Sequence, residues 1–216
     1  MTAGPKGPVL HAILDVDAAA RAGWAPVDLS LAFLDGGATW IQVRAKQLSS
    51  ADFLSLCDVV VRSAGAYRAT VIVNDRADLA MLSGAAGVHV GQDDLAPVAV
   101  RRLLGPDAIV GYSTHTIDQL EAARLEPVSY VAVGPVFSTT TKDTGYNAVG
   151  LAHVSSAAAR ANGRPVVAIG GITLENASSV MEAGATAVAV IGDLLVDNDP
   201  QGKTRAFLQK LAQYRI

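Results

Sequence analysis

TVIVNDRADLAMLSGAAGVHVGQDDLAPVAV, residues Thr70 to Val100, decides the fold. It opens on an apolar, β-branched run (70–74), passes through a helix-like stretch to Gly84, and returns to a second apolar run, GVHV (87–90). A second helix-like stretch, DDLAPVAV, then begins. Strands that alternate with helical stretches pair in parallel through crossover connections, and apolar strands with little polar alternation belong to a sheet covered on its outer face.

The same unit recurs along the chain. Strand-like runs stand at VLHAILD (9–15), TWIQVR (39–44), TVIVN (70–74), GVHV (87–90), AIVGYS (108–113), YVAVG (130–134), PVVAIG (165–170) and TAVAVI (186–191). Amphipathic or alanine-rich segments such as ADFLSLCDVVVRSA and TLENASSVMEAG separate them. Eight strands in 216 residues predict an α/β protein of one domain, a compact (β/α)8 TIM barrel over residues 9–216 behind a flexible segment, 1–8. Glycines precede strands in DGGATW, SGAAGV and EAGATA, where they end helices (Gly36-Gly37, Gly84, Gly184). Thr173 is placed to cap the helix in GITLENA, with Glu175 or Asn176 in its first turn.

Composition narrows the function. Half the residues are hydrophobic and only 5% aromatic, so the core is built from Ala, Val, Ile and Leu. A formal charge of −3 gives no basic footprint for nucleic acid or an anionic membrane, so phosphate chemistry must depend on a few placed cations. Cys57 is the sole cysteine and sits in a helical pattern, as expected of a buried structural thiol. No uncharged apolar run reaches the roughly 18 residues of a membrane span, and no signal-peptide core follows Met1, so a cytoplasmic enzyme of small molecules is expected. Oligomeric state, self-association included, is left open.

Polar clusters follow or close these strands. GPVFSTTTKDT (134–144) offers Thr139, Thr140, Thr141 and Lys142, short neutral donors with one mobile ammonium, which suit an anion. Taken alone, the threonines could equally bond their own backbone. Gln42, Arg44, Lys46, Asn74, Asp75, Asp94, Ser113 and His115 also fall at strand ends, and a barrel brings such residues to one face. Asp75 and Asp94 can share one Mg2+ that keeps several waters; the alternative is that each caps a helix. Arg44 and Lys46 share one side of their strand and need an anion at the rim; the alternative has Arg44 neutralising Asp75 and Lys46 solvated. The double glycine at 170–171 and the VIGDL turn at Ile191 and Gly192 can admit a monophosphate. His89, flanked by valines, reads as a packed and hydrogen-bonded residue. The His115 and Asp spacing matches no zinc motif.

In order, IQVRAK (41–46), VND (73–75), GVHVGQDD (87–94), YSTHT (112–116), GPVFSTTTK (134–142) and AIGGIT (168–173) resemble the thiamine phosphate synthase family over Leu10 to Leu195. The resemblance implies a (β/α)8 barrel that condenses hydroxymethylpyrimidine diphosphate with thiazole phosphate and releases pyrophosphate with the help of Mg2+. It makes Gln42, Arg44, Lys46 and Asn74 the pyrimidine diphosphate contacts and Asp75 and Asp94 the metal ligands. Ser113 and Lys142 become pyrophosphate partners and, with Arg44 and Lys46, the catalytic charges and donors. Thr139, Thr141, Gly171, Ile191 and Gly192 become the thiazole phosphate contacts. Four positions depart from the family pattern: His11 for a tyrosine, Ala45 for a glutamate, Ser138 for a proline and Gly192 for a small hydroxyl residue. A thiazole tautomerase of the same superfamily would need neither the paired aspartates nor Lys142, and a barrel that binds a phosphorylated ligand without turnover is the third reading.

Overall fold

The computed structural model describes residues 7–139 and 145–214. Eight parallel strands close on themselves in chain order, β1 pairing with both β2 and β8. They are β1 Leu10–Asp15, β2 Trp40–Arg44, β3 Thr70–Asn74, β4 Gly87–Val90, β5 Ile109–Thr114, β6 Tyr130–Val133, β7 Val166–Ile169 and β8 Ala187–Val190. Each lies within a residue or so of the apolar run that predicted it. Around them run α1 Val16–Arg21, α2 Pro26–Asp35, α3 Ser50–Ala66, α4 Ala77–Ser83, α5 Pro97–Leu104, α6 Ile117–Ala123, α7 Gly150–Arg160, α8 Ala177–Glu182 and α9 Pro200–Lys210. Of the N-terminal segment 1–8, residues 1–6 lie outside the described residues.

Two apolar layers follow from the strand period of two. On β1, Leu10, Ala12 and Leu14 join the outer core beneath the helices, whereas Ile13 faces the barrel axis with Trp40, Ile72, Tyr130, Val167, Ala187 and Ala189. Small inward residues on β8 leave room for the large rings of Trp40 and Tyr130. In α3, Ser49 Oγ accepts the Asp52 N–H at 3.1 Å and fixes the start, while Phe53, Leu56, Cys57, Val60 and Ala64 recur at helical spacing and are buried. Each such side chain contributes about 1.5–3 kcal/mol relative to exposure. Burial, and then Asp58, push the Cys57 thiol up to about 12, which makes it an inert packing group. Gly84 ends α4 in the left-handed conformation at φ 68. α9 returns the chain against α2 and β1, with Phe33 and Phe207 both fully buried.

One boundary differs from expectation. Thr173 and Asn176 exchange hydrogen bonds, Thr173 N–H donating to Asn176 Oδ1 (2.9 Å) and Asn176 N–H to Thr173 Oγ1 (3.4 Å), yet α8 starts at Ala177. The pair closes a turn ahead of the helix, so Thr173 does not cap α8, which starts without a side-chain cap.

The β1–β2 register sets Asp15 beside Arg44. Asp15 Oδ1 accepts the Ala18 N–H at 2.8 Å, capping α1, while Oδ2 pairs with the Arg44 guanidinium; their side chains are 2% and 12% exposed. Asp15→Ala therefore uncaps α1 and strands a nearly buried cation. A loss of about 3–5 kcal/mol is expected in chemical denaturation, and a loss under about 1 kcal/mol would mean that water replaces the carboxylate.

Candidate active site

The strand ends surround one cavity of about 730 Å³, and Gln42, Arg44, Lys46, Asn74, Asp75 and Asp94 all line it. So do Ser113, Thr139, Gly171, Ile191 and Gly192. Every expected site residue that is described thus converges on one space. Thr141 and Lys142 lie outside the described residues.

The rim beside β2, β3 and β4 is charged. Lys46 Nζ donates to Asp75 Oδ2, and Arg44 is held by Asp15. The alternative pairing of Arg44 with Asp75 is therefore not formed: register gives Arg44 to Asp15 on β1, and Lys46, two residues further along, reaches Asp75. Arg44 Nε is buried without a hydrogen-bond partner among the described residues, at the cavity wall. Asp75 has φ 64, unusual for a residue with a side chain, and its N–H donates to His89 O at 2.8 Å. Neither Asp75 nor Asp94 makes a side-chain cap on α4 or α5, which begin after Arg76 and Ala96. Asp94 Oδ2 instead accepts the Gly91 N–H at 2.7 Å. Burial raises the Asp94 pKa, and the charge and hydrogen bonding of Asp75 raise it further, against the Gly91 N–H and Lys46, which lower it.

Two carboxylates from neighbouring loops therefore crowd one another at a partly desolvated spot. Hard oxygen donors in that arrangement fit Mg2+, because a divalent ion relieves their repulsion while waters fill its remaining positions. Among the described residues no cluster of three or more His, Cys, Asp or Glu could hold a metal.

Toward the axis the wall is neutral and polar. Gln42 and Asn74 are 5% and 7% exposed, and both line the cavity. Below them His11 stacks on Trp40 with ring centroids 4.4 Å apart and meets Tyr130 edge-on. Burial, and then His89, lower the His11 pKa to about 3, so its imidazole is neutral at physiological pH. His89 bridges Tyr130 Oη (2.9 Å, at Nδ1) and Ser113 Oγ (2.8 Å, at Nε2). His115 Nδ1–H donates to Gly134 O at 2.6 Å, and its ring stacks on Tyr146 at 4.0 Å.

The opposite end is built from backbone. Residues 135–139 run beside the end of β7, with Val136 N–H donating to Ile169 O (2.9 Å) and Phe137 N–H to Gly170 O (3.0 Å). Gly171 has φ 62, and a Cβ there would sit 2.6 Å from Ser138 O and 2.7 Å from Phe137 Cβ. Only glycine permits this approach, which carries Thr139 to the cavity next to the turn at Ile191 and Gly192. From Gly192 the chain takes 3-10 turns that break at Val196 and Asp197, where Asp197 has φ 62.

Asp15, Tyr130 and Tyr146 were not singled out as site residues by sequence reasoning, and His11 was singled out only as a departure from the family pattern. Asp15 and Tyr130 had a usable signal, an inward position at the last residue of β1 and the first of β6. Tyr146 had none, because its stacking depends on where the following loop lies.

Fold and site together define a (β/α)8 barrel whose candidate active site lies at the C-terminal ends of the strands. Residues 16–194 match the family model TMP-TENI, thiamine monophosphate synthase. The chain is 44% identical over 219 residues to a thiamine-phosphate synthase of Koribacter versatilis, covering 98% of this chain and 99% of that one. It is 41% identical over 194 residues to one of Thermus thermophilus, covering 88% and 93%. The structure of a thiamine phosphate pyrophosphorylase from Pyrococcus furiosus superposes with a TM-score of 0.85 at 26% identity, over 95% of this chain and 96% of that one. The chain belongs to the thiamine monophosphate synthase family. It is a transferase of thiamine biosynthesis.

Proposed function

We propose that this chain joins hydroxymethylpyrimidine diphosphate to thiazole phosphate, forming thiamine phosphate and pyrophosphate. The observation that carries the reading is the two-ended cavity: cations and paired carboxylates at one end, a glycine-backbone cradle at the other, and neutral polar groups between. A diphosphate suits the charged rim of Arg44, Lys46, Asp75 and Asp94, and Gln42 and Asn74 suit the edge of a pyrimidine. Thr139, with Thr141 and the turns at Gly171, Ile191 and Gly192, suits the monophosphate of the thiazole.

In the reaction the bond between the pyrimidine methylene carbon and the diphosphate oxygen breaks, its electron pair leaving with pyrophosphate. The thiazole nitrogen supplies the pair for the new carbon–nitrogen bond. The aminopyrimidine spreads the positive charge that develops on carbon, so no protein nucleophile is needed. The protein holds the two partners in line and stabilises the departing charge. Arg44, fixed by Asp15, keeps an Nε donor with no partner among the described residues, and Lys46, Ser113 and Lys142 complete the set that faces the leaving group. Mg2+ held by Asp75 and Asp94 would supply further positive charge to the diphosphate oxygens. The same reading makes this a cytoplasmic enzyme of two small phosphorylated substrates.

A tautomerase would act on the thiazole phosphate alone and would leave the Asp75 and Asp94 pair without a task. Omission assays separate the readings. Pyrophosphate is expected only when both precursors and Mg2+ are present; a change in thiazole phosphate alone would favour the tautomerase, and binding of both without product would favour a non-catalytic barrel.

Gly171→Val tests the cradle. With a left-handed φ and no room for a side chain, the 135–139 segment must move. The KM for thiazole phosphate is expected to rise roughly tenfold or more, the equivalent of about 1.4 kcal/mol of lost binding. An effect confined to the pyrimidine substrate would reverse the assignment of the two ends.

A further inference from the structure

His89, Gly111 and Tyr130 occupy one register row across β4, β5 and β6, and Ser113 stands two residues above Gly111 on the same face. A Cβ at Gly111 would lie 2.2 Å from Tyr130 Cζ, 2.3 Å from its hydroxyl and 2.4 Å from His89 Nδ1. The missing side chain is what lets Tyr130 and His89 bond over the top of β5. The two rings also stack, with centroids 5.5 Å apart and planes 23° apart.

The proton positions in this chain follow from burial. Tyr130 is 4% exposed, and burial raises its pKa, so the phenol keeps its proton. Its one hydrogen-bond partner among the described residues is His89 Nδ1. Were the ring proton on Nδ1, the phenolic O–H would be buried with no acceptor among the described residues, which folding disfavours. The phenol therefore donates to Nδ1, which leaves Nε2 to carry the ring proton, and Nε2–H donates to Ser113 Oγ. Ser113, already an acceptor, must send its own proton elsewhere, and it lines the cavity.

We propose that Tyr130 and His89 are positioning residues that lock Ser113 as a hydrogen-bond donor toward the departing diphosphate, an inference that rests on the synthase reading for the identity of its acceptor. Neither ring needs to touch the reacting atoms. Their contribution is to remove the orientation in which Ser113 spends its proton on His89 and offers only lone pairs to an anion. Such a donor matters most as charge develops on the leaving oxygens, so its loss lowers kcat more than it raises KM.

The test has two arms. The chain contains four histidines, so ring nitrogen NMR of protein labelled with 15N-histidine is tractable, and His89 is assigned by its disappearance in His89→Gln. Protonation at Nε2 with Nδ1 as a bare acceptor is expected; a ring protonated at Nδ1 would overturn the proposal. In the second arm, Tyr130→Phe is expected to lower kcat about tenfold with the KM for pyrimidine diphosphate within about twofold. In a Ser113→Ala background the same replacement should change kcat by less than about twofold, since it acts through a hydroxyl no longer present. Equal losses in both backgrounds would assign Tyr130 a packing role and sink the relay. The NMR arm needs no activity. If the wild-type protein makes no thiamine phosphate, the synthase reading fails while the tautomer still decides the relay.

Discussion

Asp94→Asn, and separately Asp75→Asn, is expected to lower kcat/KM for the pyrimidine diphosphate by about 10²–10³-fold and to raise the Mg2+ concentration needed for half-maximal rate. Neither carboxylate caps a helix by its side chain; among the described residues Asp94 gives up the Gly91 N–H, Asp75 gives up the Lys46 pair, and each gives up its contact with the other. What the substitution removes is one of two oxygen donors aimed at the same spot. Loss of a group that stabilises charge developing in a transition state is typically worth about 10²–10³ in rate. Magnesium titration of the initial rate is the check. If either variant kept both the wild-type rate and the wild-type Mg2+ requirement, the crowding of the two carboxylates would be incidental and the metal assignment would fall.

Lys142→Ala should slow the bond-breaking step by about a hundredfold while weakening ground-state binding far less. The proposed role of this lysine is to meet the negative charge that accumulates as pyrophosphate leaves, and only interactions that strengthen on the way to the transition state raise the chemical rate. Arg44 and Lys46 face the same group, but each shares its charge with a carboxylate, Asp15 and Asp75, so they replace the lost charge only in part. Rapid-quench measurement at saturating substrates separates the two effects. An unchanged chemical step with weaker binding would make Lys142 an anchor.

Much of this was legible in the residues themselves. TVIVN, GVHV and YVAVG announce strands because β-branched side chains pack on a covered sheet, and Gly84 announces a helix end because it accepts a left-handed conformation. The convergence of Gln42, Asn74 and Ser113 also follows, since a closed parallel barrel must bring its strand ends together. Partnership was harder to read. Arg44 binds Asp15, 29 residues away, because β1 and β2 pair in one particular register, and no local pattern separates that partner from Asp75. The contact between Tyr130 and His89 depends on the stagger of three strands and on an absent side chain at Gly111. Local chemistry pointed to a helix cap at Thr173, whereas Thr173 and Asn176 close a turn and α8 starts only at Ala177, because the start depends on how the chain leaves the double glycine.

The most direct test of the central claim is a single turnover with the protein in excess over pyrimidine diphosphate, at saturating thiazole phosphate and Mg2+. One thiamine phosphate and one pyrophosphate are expected to form per pyrimidine diphosphate, with a common time course. Recovery of the pyrimidine diphosphate intact from protein that had bound it, or isomerisation of thiazole phosphate with no pyrophosphate released, would contradict the account.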